Sequence, residues 1–429
     1  MKKRHGLQIC LTVGVMIILV LITTTIVIVM NNEKKTVDKE IPVLRINLNQ
    51  VTLDEIKQGD KGLKHGGNEL IIENNNEKSV FEDIIISGRG NSTWQNKKKP
   101  FNLKLSDKEN LFGMGKSKKW VLLANHFDDT HLRNEAAFEF WNMMDENLKM
   151  KEEPVEVYID EEYEGLYYLT RKIEISKSMV GLRDLNGIIV ELDNINTNKD
   201  ECTLSSNNNC LIITDAVYDK NKDEALKIFL EKFNAFEKAS EAKDWTTIQK
   251  VCDVDSLAKY FLVSEFSSNP DAYVSSMYFY MDGKDDKIHA GPIWDYDFAF
   301  ANERWSLGSN LKFVPNAILP MKSNAFGSGV YVSSGEYKKR EPNLNISRMF
   351  YWLEEMEEFS NVVSKWVDET IVGKKGKYLN ELVSRAKNIR NVVERNNEKW
   401  ELKHYKKETE KLLWWIFQRY DFIEKEYGS

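Results

Sequence analysis

The chain has 429 residues and a formal net charge of −7, from 60 basic and 67 acidic side chains, and 42% of its residues are hydrophobic. This length and hydrophobic content suffice for one large domain or two ordinary ones with a sizeable core. The mildly acidic balance disfavours a nucleic-acid coat or a broadly basic membrane-binding surface, so any anion-binding site has to be local.

An uncharged apolar run at residues 7–30 follows a basic N-terminus at residues 1–6. The run is long enough to cross a bilayer. It ends in VIVMNNEKK without a small-residue cleavage pattern, which favours an uncleaved signal anchor over a cleaved signal peptide. The preceding basic residues predict a single-pass cell-membrane protein with a cytoplasmic N-terminus, a polar stalk at 31–40 and an extracytoplasmic remainder.

A β-rich region follows the stalk. Apolar patterning predicts strands at 80–87 and 101–105, joined by the loop GRGNSTWQNKKKP at 88–100. Further strands are predicted in KKWVLLAN, EPVEVYID, GLYYLTRKI and GIIVELD. A helix is predicted in DDTHLRNEAAFEFWNMM, whose first Asp and Thr residues are candidate N-caps.

From Lys222 onward the pattern is mainly helical. KDEALKIFLEKFNAFEKASEA and DVDSLAKYFLVSEF predict amphipathic helices, and three long helices are expected after about Pro342. A short hairpin is predicted between these groups, in SMYFYMDGKDDKIHAGPIW. The sequence therefore predicts an α+β fold with a β-rich N-terminal lobe, a helical C-terminal lobe and a ligand cleft between them.

Cysteine usage leaves two possibilities open. Cys202 and Cys210 bracket a polar loop that a disulfide could close in an oxidising compartment, and free buried thiols are the alternative. The sequence contains no CxxC pair and only 6 histidines, so a zinc site has little support.

Three aspartates flank the predicted hairpin. Asp271 precedes its first strand, and Asp295 and Asp297 follow its second. The outer ends of an antiparallel hairpin lie together, so these carboxylates should converge. Convergent carboxylates suit Mg²⁺, and protein kinases place a catalytic Asp, a hairpin and a metal-binding Asp in this order. The alternative is a turn residue after Pro270 and two solvated acids at a strand end.

The loop at 88–100 concentrates positive charge. Arg89 lies between two glycines, and Lys97, Lys98 and Lys99 precede Pro100. A solvated turn is one interpretation. The other is that one lysine, for which Lys99 is the best candidate, points inward with Arg89 as a phosphate clamp opposite the acidic hairpin. The loop has no Walker sequence.

Further charged residues lie at element ends. Arg133 follows Asp128 at a predicted helix start, where an arginine could reach phosphate or form an ordinary surface ion pair. Glu174, Glu191 and Asp193 at strand ends are candidates to orient a lysine, and the sequence does not choose among them.

Five segments occur in the order GRGNSTWQNKKKPFNLKL, WVLLANHFDDTHLRNEAA, VEVYIDEEYEGLYYLTRKIE, SSNPDAYVSSMYFYMDG and GPIWDYDFAFAN. In sequence and in order they resemble the CotH family of spore coat atypical protein kinases. The resemblance covers about residues 41–302. It implies a diverged two-lobed kinase-like domain at 41–344, with a helical region at 345–429 packed on the same domain. It also implies ATP, Mg²⁺ or Mn²⁺, and phosphorylation of Ser or Thr in a surface or coat protein.

The resemblance also implies roles for individual residues. By position, Asp271 matches the catalytic aspartate. The expected metal ligands are Asp295 and Asp297. The expected nucleotide contacts are Lys98, Lys99, Arg89 and Arg133.

One departure from the family pattern affects the metal site. Ser275 and Ser276 stand where many members have asparagines, one of which is expected to be a second metal ligand. The main hypothesis is therefore a membrane-anchored extracytoplasmic kinase. A non-catalytic surface or coat-assembly protein is the alternative, and a metal-dependent phosphohydrolase is a further one.

Overall fold

A closed barrel forms the first part of the fold. The computed structural model describes residues 40–195, 202–269, 271–302, 311–312, 331–332 and 347–429. The strands of the barrel are β1 (Val43–Asn47), β2 (His65–Asn74), β3 (Glu77–Gly88), β4 (Phe101–Glu109), β5 (Ser117–Leu123), β6 (Glu152–Ile159) and β7 (Glu162–Arg171). Their order is β1-β2-β3-β4-β5-β7-β6, and a parallel β1–β6 pair closes the ring.

The barrel encloses its own core. Inward-facing residues such as Leu70, Phe101 and Trp120 are almost completely buried. Two helices interrupt the strand order: α1 (Leu53–Gln58) between β1 and β2, and α2 (Arg133–Met144) between β5 and β6. The predicted strands of this region are confirmed, whereas closure into a barrel was not predicted from the sequence.

A second sheet follows the barrel, with the order β12-β11-β8-β10-β9. Its strands are β8 (Gly187–Leu192), β9 (Thr203–Leu204), β10 (Cys210–Ala216), β11 (Met277–Asp282) and β12 (His289–Ala290). The predicted hairpin is confirmed, because β11 pairs with β12 in antiparallel register. A separate two-stranded pair joins β13 (Leu311–Lys312) to β14 (Tyr331–Val332).

Helices make up most of the rest of the described chain. They are α3 (Lys222–Ala242), α4 (Trp245–Val251), α5 (Val254–Ser267), α6 (Met349–Glu354), α7 (Glu357–Thr370), α8 (Lys375–Lys399) and α9 (Tyr405–Tyr427). The three long C-terminal helices expected from the sequence are α7, α8 and α9. Among the described residues, no helix is both long and apolar enough to cross a membrane. The predicted span at 7–30 lies outside those residues.

The helices and the second sheet share one hydrophobic core. At its centre Phe140 of α2 stacks on Phe266 of α5, with ring centroids 3.8 Å apart, and Tyr378 and Tyr420 meet these rings edge-on. Such aromatic contacts bury large apolar areas and fix relative orientation. The C-terminal helices therefore support α5, which leads directly into the segment containing Asp271.

Candidate active site

A cavity of about 730 Å³ lies between one end of the barrel and the second sheet. Residues from separate parts of the sequence meet on its walls, including the three aspartates predicted from the hairpin. The charged residues that line it are Lys61, Arg89, Lys172, Glu191, Asp193, Asp271, Asp295 and Asp297. We call this space the Asp271 cavity.

Asp271 is positioned by the turn between α5 and β11. Asp253 caps the start of α5 by accepting the Ser256 backbone N–H at 2.7 Å, and the helix ends at Ser267. The backbone N–H of Asp271 then donates to Asn269 Oδ1 at 3.1 Å, and its carbonyl accepts from Val274 N at 3.0 Å. The Asp271 carboxyl thus projects into the cavity from a tightly bonded turn.

Asp295 reaches the same cavity from the other end of the hairpin. Its backbone has a φ of 66°, and that of Ser276 has a φ of 54°. Both values lie in the left-handed region that few residues other than glycine and asparagine adopt readily. The Ser276 hydroxyl lies 3.5 Å from Asp295 Oδ2. The neighbouring Tyr296 N–H donates to Asn134 Oδ1 at 2.7 Å, which joins this segment to α2.

The cavity carboxylates raise one another's pKa. Burial, with Asp295 and Asp193 nearby, raises the pKa of Asp271 to about 7. Asp295 is exposed to the cavity, and the surrounding walls together with Asp193 raise its pKa, although Arg89 and the Ser276 hydroxyl oppose the shift. For Asp297, burial and the charges of Asp295 and Asp271 place the pKa well above its usual range. Clustered carboxylates of this kind are typical of functional sites, because a ligand supplies the missing positive charge.

The donor set fits a hard divalent cation. Carboxylate oxygens are the ligands that Mg²⁺ and Mn²⁺ prefer, and a cation would relieve the repulsion that raises these pKa values. Among the residues that the structure describes, no three acidic, histidine or cysteine side chains are grouped closely enough to hold a metal by themselves. Asp295 and Asp297 would therefore share a cation with oxygens from another source, as in sites where substrate phosphates complete the coordination.

Arg89 places positive charge opposite the carboxylates. Its guanidinium lies 5.6 Å from the centre of the Trp294 ring. Burial lowers its pKa, and the charge of Asp295 is the largest effect opposing that shift. Lys61 fixes the loop, because its ammonium donates to Gly90 O at 2.8 Å and to Asn91 Oδ1 at 2.7 Å. The expected position of Arg89 across from the acidic hairpin agrees with this geometry.

Lys172 is a further cation that lines the cavity, and it was not predicted from the sequence. It follows the last residue of β7, and its backbone N–H donates to Lys119 O at 3.2 Å. Burial and the neighbouring Lys119 and Arg89 lower its pKa. Glu191, whose pKa burial and Asp193 raise to about 7, is one of the charges that oppose this shift. The only sequence signal was the position of Lys172 directly after a strongly apolar strand.

The lysine run, Lys97 to Lys99, does not line the cavity, although one of its lysines was expected to point towards a phosphate site there. Lys98 is the buried member, and its ammonium donates to Ala124 O at 2.8 Å and to Leu166 O. The Lys99 ammonium instead donates to Trp94 O and lies 4.9 Å from the Trp94 ring centre. The exposed Lys97 pairs with a C-terminal glutamate.

Lys98, and not Lys99, is the lysine that points into the protein, so the inward orientation expected for Lys99 is not found. Strand β4 begins only at Phe101, after Pro100, so the residues before it do not follow a two-residue period. As a result Lys98 and Lys99, both predicted nucleotide contacts, have their ammonium groups bound to backbone carbonyls.

Arg133 also has a different position from the one expected. Its guanidinium pairs with the buried Asp128 and donates through Nε to Ala299 O at 3.0 Å. Its backbone N–H donates to Asp128 Oδ2 at 2.9 Å. Arg133 therefore ties the start of α2 to the segment after Asp297, and the next residue, Asn134, lines the Asp271 cavity instead.

Ser275 and Ser276, which stand where many family members have asparagines, line the cavity. The Ser275 hydroxyl donates to Asp193 Oδ1 at 2.9 Å, and Ser276 lies beside Asp295. Glu174, another carboxylate noted in the sequence, forms an ion pair with Arg171 at 2.8 Å. Of the three candidates for orienting a lysine, Glu191 and Asp193 thus belong to the cavity.

The disulfide left open by the sequence is present. Cys202 and Cys210 are bonded, with Cα atoms 5.3 Å apart, whereas Cys252 is a buried free thiol.

Comparison with known proteins identifies the family. Residues 86–423 match the family described as CotH kinase protein. The chain belongs to the CotH kinase family. The match includes Arg89 and Lys172, which directly follow β3 and β7, as well as the acidic hairpin and most of the C-terminal helices.

Other comparisons of this CotH family member add little. No curated protein matches it significantly. A solved structure of the Helicobacter pylori proinflammatory kinase CtkA aligns over 81% of this chain and 96% of that chain, at 11% identity and a TM-score of 0.20. The family match supports a kinase-like function, and the positions of the site residues come from the cavity itself.

Proposed function

We propose that this protein is a kinase that transfers the γ-phosphoryl group of ATP to a Ser or Thr hydroxyl of a protein substrate. The observation that supports this most strongly is the Asp271 cavity, where Asp271 and Asp295 face Arg89 and Lys172. Acidic residues for a metal and basic residues for phosphate are the parts that phosphoryl transfer requires in one place. The matching family supports the same reaction class.

Each residue has a distinct task in this reaction. ATP bound with Mg²⁺ or Mn²⁺ supplies the phosphoryl group and partly neutralised phosphates. Asp295, assisted by Asp297, would hold the metal. Asp271, with a pKa raised to about 7, accepts the proton of the attacking hydroxyl close to neutral pH. Arg89 and Lys172 stabilise negative charge on the transferring group.

We further propose that residues 7–30 anchor the protein in the cell membrane and that the kinase domain lies outside it. The Cys202–Cys210 disulfide supports this location, because disulfides persist in oxidising compartments. A surface, envelope or spore coat protein would then be the substrate. ATP is scarce outside cells, so its supply to the site is part of what this proposal requires.

The experiment is transfer of labelled phosphate from ATP to protein, with Mg²⁺ or Mn²⁺, by the wild type and by Asp271→Asn and Asp295→Asn. We expect both substitutions to lower transfer by at least about a hundredfold. Asp107→Asn is the matched control, since that carboxylate is exposed on the barrel surface and should leave transfer unchanged. Full activity in both cavity variants would sink the proposal.

A non-catalytic binding protein is the second candidate, favoured by the two serines. A serine has no amide oxygen to offer a second metal, and the Ser275 hydroxyl donates its hydrogen bond to Asp193. This candidate predicts no detectable nucleotide binding in calorimetry with either metal. Nucleotide binding with release of free phosphate, but without protein labelling, would instead indicate a phosphohydrolase.

A further inference from the structure

Three lysines stand side by side on neighbouring strands of the barrel, next to the Asp271 cavity. Lys104 of β4 lies directly opposite Lys119 of β5 in their antiparallel register. Lys172 follows β7, and its backbone N–H donates to Lys119 O at 3.2 Å, so it lies opposite Lys119 on the other side. We call Lys104, Lys119 and Lys172 the cross-strand lysines.

The cross-strand lysines point away from the core of the barrel. Leu103 and Trp120, their neighbours along β4 and β5, belong to that core. Successive residues of a strand point to opposite faces, so Lys104 and Lys119 face outward, and both are exposed. Lys172 lines the Asp271 cavity. The three lysines therefore extend from the outer surface of the barrel to the wall of the proposed catalytic site.

The fold gathers these positive charges without pairing them. Like charges directly opposite each other on a sheet repel and disfavour folding. Burial, followed by the charges of Lys119 and Arg89, lowers the pKa of Lys172. Among the described residues, none of the three ammonium groups forms an ion pair or a hydrogen bond. An anion from outside the chain would remove the repulsion.

The acids on the cavity side do not neutralise the cross-strand lysines. Glu191 belongs to the second sheet, on the opposite wall of the cavity. The Asp215 carboxylate accepts the backbone N–H groups of Ile175 at 2.9 Å and of Ala216 at 3.1 Å. Both acids oppose the lowered pKa of Lys172, but they do so less than burial and the neighbouring cations lower it.

The acids on the outer side lie beyond the cross-strand lysines. Asp107, further along β4, pairs with Lys118 at 3.7 Å. Two exposed acids occupy positions 82 and 83 of β3. The β3 residue opposite Lys104 is Ile85, so the row ends on an apolar side chain.

The dimensions of the cross-strand lysines suit an extended peptide. Neighbouring strands are about 4.8 Å apart, so three strands span about 10 Å, which is the length of about three extended residues. Recognition of an anionic membrane surface uses larger clusters, of about 4–8 basic residues. A peptide over the lysines also reaches the cavity, because Lys172 is part of its wall.

We propose that the cross-strand lysines bind an acidic segment of the protein substrate, close to the Ser or Thr that receives the phosphoryl group. Lys104 and Lys119 pair with substrate carboxylates, and Lys172 at the cavity wall remains available to the transferring group. This inference rests on the proposed kinase function and adds a substrate class to it: hydroxyl residues within acidic sequence.

The test compares two capped heptapeptides, in which a central serine has three glutamates or three glutamines on each side. Placing glutamates on both sides makes the result independent of the direction in which the peptide binds. In calorimetry with Mg²⁺, the wild type should bind the glutamate peptide at least about tenfold more tightly, because several weak exposed ion pairs act together. Salt at about 0.5 M should reduce this preference.

The decisive variant is Lys104→Gln/Lys119→Gln, which should lose the preference for the glutamate peptide. Its melting temperature should not fall, because the substitution removes repulsion between opposite lysines. Lys78→Gln/Lys220→Gln is the matched control, since it removes the same charge from two exposed lysines elsewhere and should keep the preference. Transfer of labelled phosphate should show the same preference in kcat/KM, again lost only in the first variant.

The binding and transfer measurements separate this inference from the kinase function on which it rests. Preferential binding without transfer to either peptide would refute the kinase function and leave the acidic-peptide site standing. Equal binding of the two peptides, or a preference kept in Lys104→Gln/Lys119→Gln, would overturn the inference even if transfer occurs. So would a variant that binds the glutamate peptide normally but loses affinity for ATP or for phosphatidylglycerol vesicles.

Discussion

The lysine run and the Asp271 cavity differ in whether the fold itself supplies partners for their charged groups. In the lysine run each ammonium has a local partner: Lys98 and Lys99 donate to backbone carbonyls, and Lys97 forms a surface ion pair. In the cavity, the charge of Asp295 contributes to the raised pKa of Asp271, and that of Asp193 contributes to the raised pKa of Asp295. Charges that the fold satisfies internally serve stability, whereas charges that it leaves facing one another are available to a ligand.

The largest effect should come from Arg89, the loop residue that does face the cavity. We expect Arg89→Gln to lower kcat/KM for phosphoryl transfer by about 10²–10³-fold, because a preorganised positive charge is lost. Lys97→Gln, an exposed change in the same loop, should leave transfer unchanged. Steady-state kinetics of the two variants would separate them, and similar losses in both would remove the distinction between loop and cavity.

Lys98 should affect stability instead of transfer. Lys98→Met leaves the carbonyls of Ala124 and Leu166 without their donor, so we expect the free energy of unfolding to fall by about 1–3 kcal/mol. The folded fraction should keep its transfer rate. Urea unfolding and kinetics on the same sample measure both quantities. Loss of transfer with unchanged stability would show that Lys98 acts on the nucleotide.

The rate of transfer should rise with pH through the pKa of Asp271. In the free enzyme, which kcat/KM reports, a base with a pKa of about 7 is mostly protonated at pH 6 and mostly ionised at pH 8, so kcat/KM should rise about tenfold between them. Glu191 has a similarly raised pKa. The pH–rate profile of Glu191→Gln should keep its midpoint if Asp271 is the base, and a profile flattened by this substitution would assign the titration to Glu191.

The raised pKa of Asp271 makes folding stability fall as pH rises, whereas it makes phosphoryl transfer faster. Folded Asp271 keeps its proton to higher pH than the unfolded chain does, so its contribution to stability declines as pH rises from about 4 to 7 without a metal. Asp271→Asn removes this decline. Its melting temperature at pH 7.5 should therefore exceed that of the metal-free wild type, whereas a lower value would contradict the raised pKa.

The smallest effect should come from Ser276. Its φ of 54° is one that asparagine tolerates better than serine, and it lies 3.5 Å from Asp295. We expect Ser276→Asn to tighten metal-dependent nucleotide binding several-fold without loss of stability, because an amide oxygen is added beside the carboxylate. Ser275→Asn is the contrasting variant, since it removes the hydrogen bond to Asp193. Equal effects of the two would argue against a metal position beside Ser276.

Most of the elements were predictable from local pattern. The hairpin that joins Asp271 to Asp295 follows from two apolar strands and a polar turn, and strand pairing alone brings its ends together. The helix α5 follows from its apolar period and the Asp253 cap. For these features the information lies within a few residues of the chain.

The missed features depend on contacts between distant segments. Barrel closure requires β1 to pair with β6, and neither strand signals its partner. The role of Lys172 depends on the second sheet lying opposite the end of β7. The burial of Lys98 depends on carbonyls of β7 and of the segment after β5. Apolar periodicity carries no information on which distant backbone groups a lysine will meet.

The measurement that tests the central claim most directly is calorimetric titration of ATP with Mn²⁺ into the wild type, Asp295→Asn and Lys99→Gln. If the Asp271 cavity holds the nucleotide and its metal, the wild type and Lys99→Gln should bind with similar affinity, and Asp295→Asn should bind at least about tenfold more weakly. Loss of binding in Lys99→Gln together with full binding in Asp295→Asn would contradict the account, because it would show that the phosphates bind at the lysine run.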